Sequence, residues 1–429
     1  MKLIETWRKD AAREIDALLS VASPLEAFLI EGPYLTIQYA NVKNYGDGAV
    51  REYMAQENRD PDQFTWEIDA RRLRRRVAEI EAGYLRALNR ARREIMGFHR
   101  RQLPVSWHVT GSYGEITGQH YTALERVAIC LPRDWKFSPA GLMMYLAPAR
   151  AAKVGLIYLN VPAPTGETQP DPMLFWMARQ WGVEKVYCLP EICSIFAFTQ
   201  GTETVPRVDK IISQGSTAVQ AAMLMVSQSV GTKFLAADND TIIIADNTAN
   251  PAYIAADVVC LTEDPSLRRV VVITPSVVTA NEVMEEISKL AGSASDPHRQ
   301  MLDRTGAIVL TRTLAEAIDI ANQHPPKHLN LFVEHPLELL SSISNAGVIC
   351  LGENTPAALD QYFASAGNLA PPSPQLRYSS PLEVQDFLKR SSLVFYSKRK
   401  VKGICRLMDT LTRQEQLPLH SRSIRIRLS

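Results

Sequence analysis

The stretch GAIVLTRTLAEAIDIANQHPPKHLNLFVE, residues 306–334, determines how the chain can fold. It begins and ends with short apolar runs, GAIVLTR and HLNLFVE, whose β-branched residues are typical of buried strands. The residues between them, 313–323, have the pattern of a helix, and HPPKHLN (324–330) reads as a proline turn into the second strand. A strand, a helix and a second strand in this order form a βαβ unit with parallel strands.

The same alternation continues on both sides of this unit. Helix-like stretches such as 171–181, 216–230, 280–291 and 336–345 separate further short apolar runs that end in Pro, Gly or Asp. The runs are RVAICLP (126–132), KVGLIYLNVPAP (153–164), VEKVYCLP (183–190), DTIIIAD (240–246), RRVVVITPS (268–276) and AGVICLG (346–352). They predict an α/β fold with two doubly wound domains, in which ligands lie beyond the carboxyl ends of the strands.

The two ends of the chain have a different character. Residues 1–19, MKLIETWRKDAAREIDALL, read as an amphipathic helix. Residues 366–381, AGNLAPPSPQLRYSSP, are rich in Pro and Ser and predict a long connection. A helical stretch and a final alternating run, SIRIRLS (423–429), follow, and the alternation predicts a strand there.

Composition limits the classes of function. The chain has 429 residues, of which 46% are hydrophobic, so more than one core is expected. Lys plus Arg is 47 and Asp plus Glu is 46, so no overall field favours nucleic acid or membrane. The N-terminal segment has no apolar signal-peptide stretch, no run approaches the length of a membrane span, and no CxxC pair occurs among the cysteines. We expect a reduced, cytoplasmic protein.

Local motifs leave the function open. Residues 71–101 contain eleven arginines, which favour either a solvated helix face or a surface for anions or nucleic acid. The segments SQGST (213–217) and LGENTP (351–356) are either plain loops or phosphate cradles. Asp238, Asn239 and Asp240 between two strand-like runs either form a turn or cap, or bind a cation or a polar ligand.

Segments in a consistent order give the sequence a chain-wide resemblance. They are FHRRQLPVSW (98–107), GTETVPRVDKI (201–211), IIIADNTANPAYIAADVV (242–259), PPKHLNLFVEHPLELLSSISNAGVICLGENTP (325–356) and SSPLEVQDFLKRSSLVFYS (379–397). In these segments the chain resembles the histidinol dehydrogenase family. The resemblance implies a homodimer with two incomplete Rossmann-like doubly wound domains, in which zinc holds histidinol and NAD accepts two hydrides to give histidine.

The resemblance also implies a domain arrangement, with a C-terminal tail that reaches the partner's site. The expected parts are an N-terminal helical arm (1–29), a first Rossmann-like domain (30–128 and 238–378), a second Rossmann-like domain (129–237) and a C-terminal dimerisation tail (379–429).

The family's zinc ligands are largely replaced. A Gln and a His of a Gln-Ala-Glu-His stretch correspond to Leu261 and Asp264, and an Asp of Gly-Asp-Tyr corresponds to Gln361. The fourth ligand, a His from the partner's tail, is matched by His420. Leu261 has no lone pair, although the carboxylate of Asp264 is an acceptable zinc donor. We therefore do not expect the family's zinc site, and Asp264 and His420 remain as its possible metal positions.

The family's Glu-His pair reads Lys327-His328 in this chain. The Glu of the family activates water, which an ammonium does not do unless burial lowers the lysine pKa. Lys327 would also repel the cationic amine of histidinol and attract an anion. The resemblance consequently predicts that His328 handles protons while Lys327 is an anion clamp or a nucleophile, and that this chain does not oxidise histidinol by the family's mechanism.

The NAD positions depart from the family too. A Tyr-Val-Pro-Gly-Gly loop is replaced by CLPRDW, which brings in Arg133 and Asp134, and glycine is the residue that lets a backbone approach a cofactor. A cofactor-contacting Gln becomes Cys193, and the Asn of a Gly-Pro-Gly-Asn loop becomes Ser216.

Several substrate-contacting positions keep polar residues. A Ser of the family becomes Asn239, and the neighbouring acidic residue stays acidic as Asp240. Gln361 is polar, and Glu415 and His420 are retained in the tail that completes the partner's site.

Three hypotheses follow. The favoured one is a repurposed enzyme that acts on a small polar or anionic substrate in a pocket at the dimer interface. The second is a non-catalytic dimeric scaffold or small-molecule sensor. The third is an NAD-dependent alcohol dehydrogenase with a rearranged metal site. The fold alone does not decide among them.

Overall fold

The computed structural model describes residues 1–20, 24–66, 80–133, 138–161, 171–236, 239–264, 266–293, 295–359, 362–363 and 369–428. Residues 71–79 of the arginine-rich stretch, Asp134, Asp238 and Gln361 lie outside these described residues. Among the described residues, no helix combines the length and the apolar character needed to cross a bilayer.

The strands and helices alternate through most of the chain. The strands are β1 (Lys2–Glu5), β2 (Thr65–Trp66), β3 (Trp107–Thr110), β4 (Ile116–Ala123), β5 (Arg126–Cys130), β6 (Leu156–Asn160), β7 (Val183–Tyr187), β8 (Lys210–Gly215), β9 (Gly231–Ala236), β10 (Asn239–Ala245), β11 (Leu267–Thr274), β12 (Gly306–Leu310), β13 (His328–Phe332), β14 (Val348–Leu351) and β15 (Leu388–Phe395).

The helices are α1 (Ala11–Leu19), α2 (Pro24–Tyr45), α3 (Asp47–Gln56), α4 (Ala82–Arg101), α5 (Pro139–Ala151), α6 (Pro172–Gln180), α7 (Glu191–Gln200), α8 (Thr217–Val226), α9 (Pro251–Cys260), α10 (Val277–Leu290), α11 (Pro297–Thr305), α12 (Leu314–Gln323), α13 (Ala357–Leu359), α14 (Lys398–Gln414) and α15 (Pro418–Arg425). Short 3-10 turns lie at Pro61–Gln63, Leu261–Glu263, Pro336–Ser342, Ser373–Arg377 and Val384–Phe387. The stretch 336–345, expected as an α-helix, is therefore a 3-10 turn over most of its length.

Two six-stranded sheets form the larger of two compact units, residues 1–102 and 125–387. Sheet A has the order β1-β12-β11-β10-β13-β14, and its strands are parallel. Sheet B has the order β2-β7-β6-β5-β8-β9, and β2 is its antiparallel edge strand. The predicted α/β fold with Rossmann-like parallel sheets is confirmed.

Both faces of sheet A are buried, which explains why its strands are continuous apolar runs. Successive side chains point to opposite faces, so Ile243 joins the hydrophobic cluster of α9, α10 and α11, while Ile242 joins that of α1 and α12. Sheet B packs residues such as Ala128 and Ile211 against α2, α3, α7 and α8. Each sheet therefore has its own core.

Three segments group differently from the domain boundaries expected from the sequence. Residues 2–5, expected as the start of a helix, form β1, which pairs with β12 at the edge of sheet A and buries Ile4. Strand β5, which crosses the expected boundary after residue 128, lies in the middle of sheet B. Helix α2 shares the core of sheet B, although the first domain was expected to contain it.

The smaller unit comprises residues 103–124 and 388–429. Its sheet has the order β15-β4-β3, with antiparallel pairs, and α14 and α15 follow it. The expected strand over SIRIRLS is wrong, because residues 423–425 belong to α15. Pro418 begins that helix, and Ser421 and Arg425, one turn apart, both donate hydrogen bonds to the carboxylate of Asp409.

Candidate functional site

Several predicted site residues meet where the amino edge of sheet A faces the carboxyl edge of sheet B. Asn239 and Asp240 begin β10, and His328 begins β13. Lys327 precedes β13, and its Nζ donates a hydrogen bond to the carbonyl oxygen of Ala236, the last residue of β9, over 2.9 Å. These residues thus lie at carboxyl ends in sheet B but at amino ends in sheet A, whereas ligands were expected beyond the carboxyl ends of the strands.

Asp240 is the structural centre of this junction. One of its oxygens accepts the backbone N–H of Lys327 at 2.5 Å, and the other accepts Arg269 Nη2 at 2.8 Å and the hydroxyl of Ser373. Asp240 is 2% exposed and Arg269 is 1% exposed, so this ion pair is buried. Asp240 therefore fixes the turn that carries Lys327 and His328 against β10 and β11.

Lys327 links the two sheets. Its side chain is 2% exposed, and the carbonyl of Ala236 that it contacts also accepts a hydrogen bond from Gln214 Nε2 at 2.7 Å. The hydroxyl of Tyr145 in turn donates to Gln214 Oε1. A continuous chain of polar groups consequently runs from α5 through the end of β8 to the start of β13.

His328 is 4% exposed and stands in register with Thr241 on β10 and Val348 on β14. An imidazole is the side chain best suited to exchange protons near neutral pH. His328 and Lys327 are therefore two buried groups with the capacity for acid/base chemistry and for charge recognition at one junction.

Two of the described residues at the positions that the resemblance assigns to zinc, Leu261 and Asp264, are engaged within the fold. Leu261 is buried in the hydrophobic cluster under α9 and supplies no donor. Asp264 Oδ1 accepts both the backbone N–H and the hydroxyl of Ser266, at 2.8 and 2.6 Å, and its Oδ2 accepts Asn239 Nδ2 at 3.3 Å. Asp264 thus holds the turn before β11, and its lone pairs serve the chain itself.

The predicted cofactor positions lie at the carboxyl edge of sheet B. Ser216 caps α8, with its hydroxyl accepting the N–H of Val219 at 3.4 Å. Cys193 is 1% exposed, and its burial, followed by the charge of Glu57, raises the pKa of the thiol to about 12. Cys193 is therefore a packing residue of α7 without nucleophilic character.

Glu191, which the sequence analysis did not identify, occupies this edge. Its Oε1 accepts the backbone N–H of Arg133 at 2.8 Å and lies 2.9 Å from the point where Gly215 would carry a Cβ. Helix N-termini at this edge are the places where a nucleotide phosphate binds. A phosphate beside Glu191 would meet a carboxylate, whose charge would repel it.

Further charges surround Glu191. Arg133 Nη2 lies 3.9 Å from Glu57 Oε2, and Arg59 Nε lies 2.9 Å from the same oxygen. Arg59 is 8% exposed, and burial lowers its pKa. Among the described residues of this cluster, Glu57 therefore pairs with both arginines.

The two tail residues belong to the smaller unit. Glu415 is the C-cap residue of α14 and His420 lies within α15, and both are exposed. Their predicted role in a partner's site remains a prediction.

Two mainly parallel six-stranded sheets, with a buried histidine where they meet, define a Rossmann-like α/β protein. Comparison with known proteins narrows this class. The family model for histidinol dehydrogenase matches residues 37–428, and the chain belongs to that family.

Individual relatives agree with this assignment. The chain is 34% identical to a histidinol dehydrogenase of Halalkalibacterium halodurans over 398 residues, covering 89% of this chain and 93% of that one. It is 31% identical to that of Psychrobacter arcticus over the full length of both. A crystal structure of histidinol dehydrogenase from Elizabethkingia anophelis has a TM-score of 0.88, at 20% identity, and covers 100% of this chain and 98% of that chain. The family resemblance found in the sequence is thus confirmed.

Proposed function

We propose that this chain is a repurposed enzyme of the histidinol dehydrogenase family. It acts on a small polar or anionic substrate at the junction of the two sheets, and it does not oxidise histidinol with zinc and NAD. We further propose a cytoplasmic homodimer in which the C-terminal tail completes the partner's site.

The observation that carries this proposal is the burial of Lys327 and His328 side by side at the sheet junction. Burying an ammonium and an imidazole costs free energy that apolar side chains of the same size would avoid. Violations of local packing rules concentrate at functional sites. A pair of polar groups kept at this position is therefore expected to have a chemical role.

The proposed roles follow from the chemistry of each group. Lys327 attracts an anionic group of the substrate, and the Asp240–Arg269 pair holds the turn that positions it. His328 donates or removes a proton at the reacting group, at the same junction. Neither role requires the zinc or NAD positions, where Asp264 and the backbone N–H of Arg133 make contacts within the chain.

Exposed apolar side chains support the proposed dimer. The smaller unit exposes Val394 and Phe395 on β15, Leu407 and Leu411 on α14, and Leu419 on α15, each more than half exposed. Large exposed apolar side chains such as these are available for burial in a protein interface.

A second candidate is a non-catalytic homologue that binds a small molecule. The internal hydrogen bonds of Asp264 and Glu191 favour it, because these residues now stabilise the fold. Anion binding that depends on Lys327, without any turnover, would be its signature.

The two candidates are tested with small anions as probes. Thermal melting of the full-length protein is measured in phosphate and in acetate, for the wild type, for Lys327→Met and for the exposed control Lys289→Met. We expect both anions to raise the melting temperature of the wild type and of Lys289→Met but not that of Lys327→Met. An equal response of all three proteins would contradict the anion-binding role of Lys327.

A further inference from the structure

We infer that Asn330 and Thr241 form a polar subsite that positions an uncharged hydroxyl or amide group of the substrate beside His328. This inference rests on the proposed function, because His328 is the group to which that proposal assigns proton transfer. It adds the chemical class of the group that reacts.

The inference starts from polar atoms that the fold leaves unsatisfied. Asn330 lies in the middle of β13 and is 1% exposed, and neither its Nδ2 nor its Oδ1 has a hydrogen-bond partner among the described residues. Thr241 on the adjacent strand β10 is 0% exposed, and within the same part of the chain its Oγ1 has no partner either. Buried polar atoms nearly always have a partner in proteins, so these three atoms call for a ligand or for water.

The three polar side chains share one face of sheet A. Thr241 stands opposite His328 in the parallel ladder, and Ile243 stands opposite Asn330. Because side chains alternate along a strand, Thr241, His328 and Asn330 all point to the face on which Ile243 packs. Directly opposed side chains in adjacent strands lie about 5 Å apart, so one small molecule reaches all three.

Asn330 also breaks the pattern of its own strand. The central strands of a parallel sheet are apolar on both faces, and Asn is disfavoured in strands. The flanking residues Leu329 and Leu331 obey this rule and are fully buried. A buried asparagine at this point therefore carries a cost that packing alone does not explain.

The chemistry of the subsite indicates what it binds. The Asn330 amide offers a donor and an acceptor, and the Thr241 hydroxyl offers one of each, without any charge. A hydroxyl or amide group satisfies them, whereas a carboxylate accepts but does not donate. Internal water is the competing occupant.

The probe for this subsite is acetamide, with acetate as its charged isostere. The Asn330 side-chain amide signal is identified in the ¹⁵N spectrum of the full-length protein by its loss in Asn330→Leu. Titration with acetamide is expected to shift that signal to saturation, and acetate is expected to bind there at least tenfold more weakly. An equal shift with both probes, or no shift with acetamide, would overturn the inference and leave internal water as the occupant.

A second measurement guards against misfolded variants. Asn160 is also fully buried, but its amide exchanges hydrogen bonds with the backbone of Leu189, at 2.8 and 3.2 Å. Asn160→Leu is expected to lower the melting temperature by several degrees, whereas Asn330→Leu should lower it less or raise it. If the melting temperature falls more in Asn330→Leu than in Asn160→Leu, the Asn330 amide already has hydrogen-bond partners within the protein.

This test is separate from that of the proposed function. If acetamide does not shift the Asn330 amide signal but anion binding still depends on Lys327, the subsite is contradicted and the proposed function is not. If phosphate and acetate raise the melting temperature of Lys327→Met as much as that of the wild type, the proposed function is contradicted. This holds whether or not acetamide binds at Asn330.

Discussion

The Nζ of Lys327 donates a hydrogen bond to the carbonyl oxygen of Ala236, 2.9 Å away, and so joins the start of β13 in sheet A to the end of β9 in sheet B. The residue that departs most clearly from the family's Glu-His pair is therefore built into the junction of the two sheets. A carboxylate at position 327 would face the carbonyl oxygen of Ala236 and be repelled by it, so this position favours a hydrogen-bond donor such as lysine.

The buried pair of Asp240 and Arg269 predicts a large loss on mutation. Asp240→Asn removes the charge that balances Arg269, and breaking one partner of a buried ion pair costs about 3–5 kcal/mol. We expect this fall in the free energy of unfolding, measured with urea. The control Asp303→Asn, at a half-exposed carboxylate, should lose less than about 1 kcal/mol. Equal losses in the two variants would contradict the role of Asp240.

Asp257 on α9 predicts a stability that falls as pH rises. It is 6% exposed, and burial raises its pKa from 3.8 to about 6, although the N–H of Ala357 partly opposes this. A carboxyl with a raised pKa favours the folded state while protonated. Stability is therefore lost between pH 4 and 6, by about 3 kcal/mol in total.

The variant Asp257→Asn tests this directly. It keeps an oxygen for Ala357 and stays neutral, so its free energy of unfolding should lack that loss and exceed the wild-type value at pH 7. Parallel pH profiles for the two proteins would rule out the assignment.

His99 predicts the opposite trend. It is fully buried on α4, and burial lowers its pKa below 6.5 despite the hydrogen bond to Gln102. Because the unfolded state binds a proton more readily, stability falls as pH drops through 6.5 towards the lower pKa of the folded state. His99→Asn, whose amide can replace Nδ1, should reduce this acid sensitivity in urea titrations at pH 5 and 7. If the free energy of unfolding differs between pH 5 and pH 7 as much in His99→Asn as in the wild type, His99 is not the source of the acid sensitivity.

Glu191 predicts that the carboxyl edge of sheet B gains affinity for phosphates when the carboxylate is neutralised. Glu191→Gln keeps an oxygen for the N–H of Arg133 and removes the like charge. We expect pyrophosphate to bind at least about tenfold more tightly than to the wild type, by calorimetry, which corresponds to about 1.4 kcal/mol. Glu282→Gln, on the exposed face of α10, is the control and should change nothing. Unchanged pyrophosphate affinity in Glu191→Gln would mean that the Glu191 carboxylate does not weaken phosphate binding at this edge.

The sequence predicted the sheets better than the ends of the chain. Short apolar runs such as 306–310 and 328–332 appear as strands of sheet A, because burial on both faces requires them to be apolar. The run at 423–429 alternates too, yet residues 423–425 are helical. Their conformation depends on Asp409, a contact distant in sequence that alternation does not reveal.

The site was predicted through the family pattern and not through local chemistry. That pattern identified Lys327 and His328, which the structure brings to one junction. It did not identify Glu191 or Asn330. The proposed role of Glu191 depends on its contact with the loop at Arg133, and that of Asn330 depends on the neighbouring strand β10. The signals were a carboxylate at the first position of a helix after a buried strand, and an asparagine inside HLNLF. Each becomes informative once the neighbouring strand or loop is known.

The most direct test of the central claim measures bound zinc and NADH formation together. Wild-type protein and Lys327→Glu are each supplied with zinc, NAD and histidinol, and absorbance at 340 nm is followed. Because Leu261 and the internally bonded Asp264 remain in both proteins, we predict less than stoichiometric zinc and no NADH from either. Stoichiometric zinc with histidinol-dependent NADH in either protein would contradict the account.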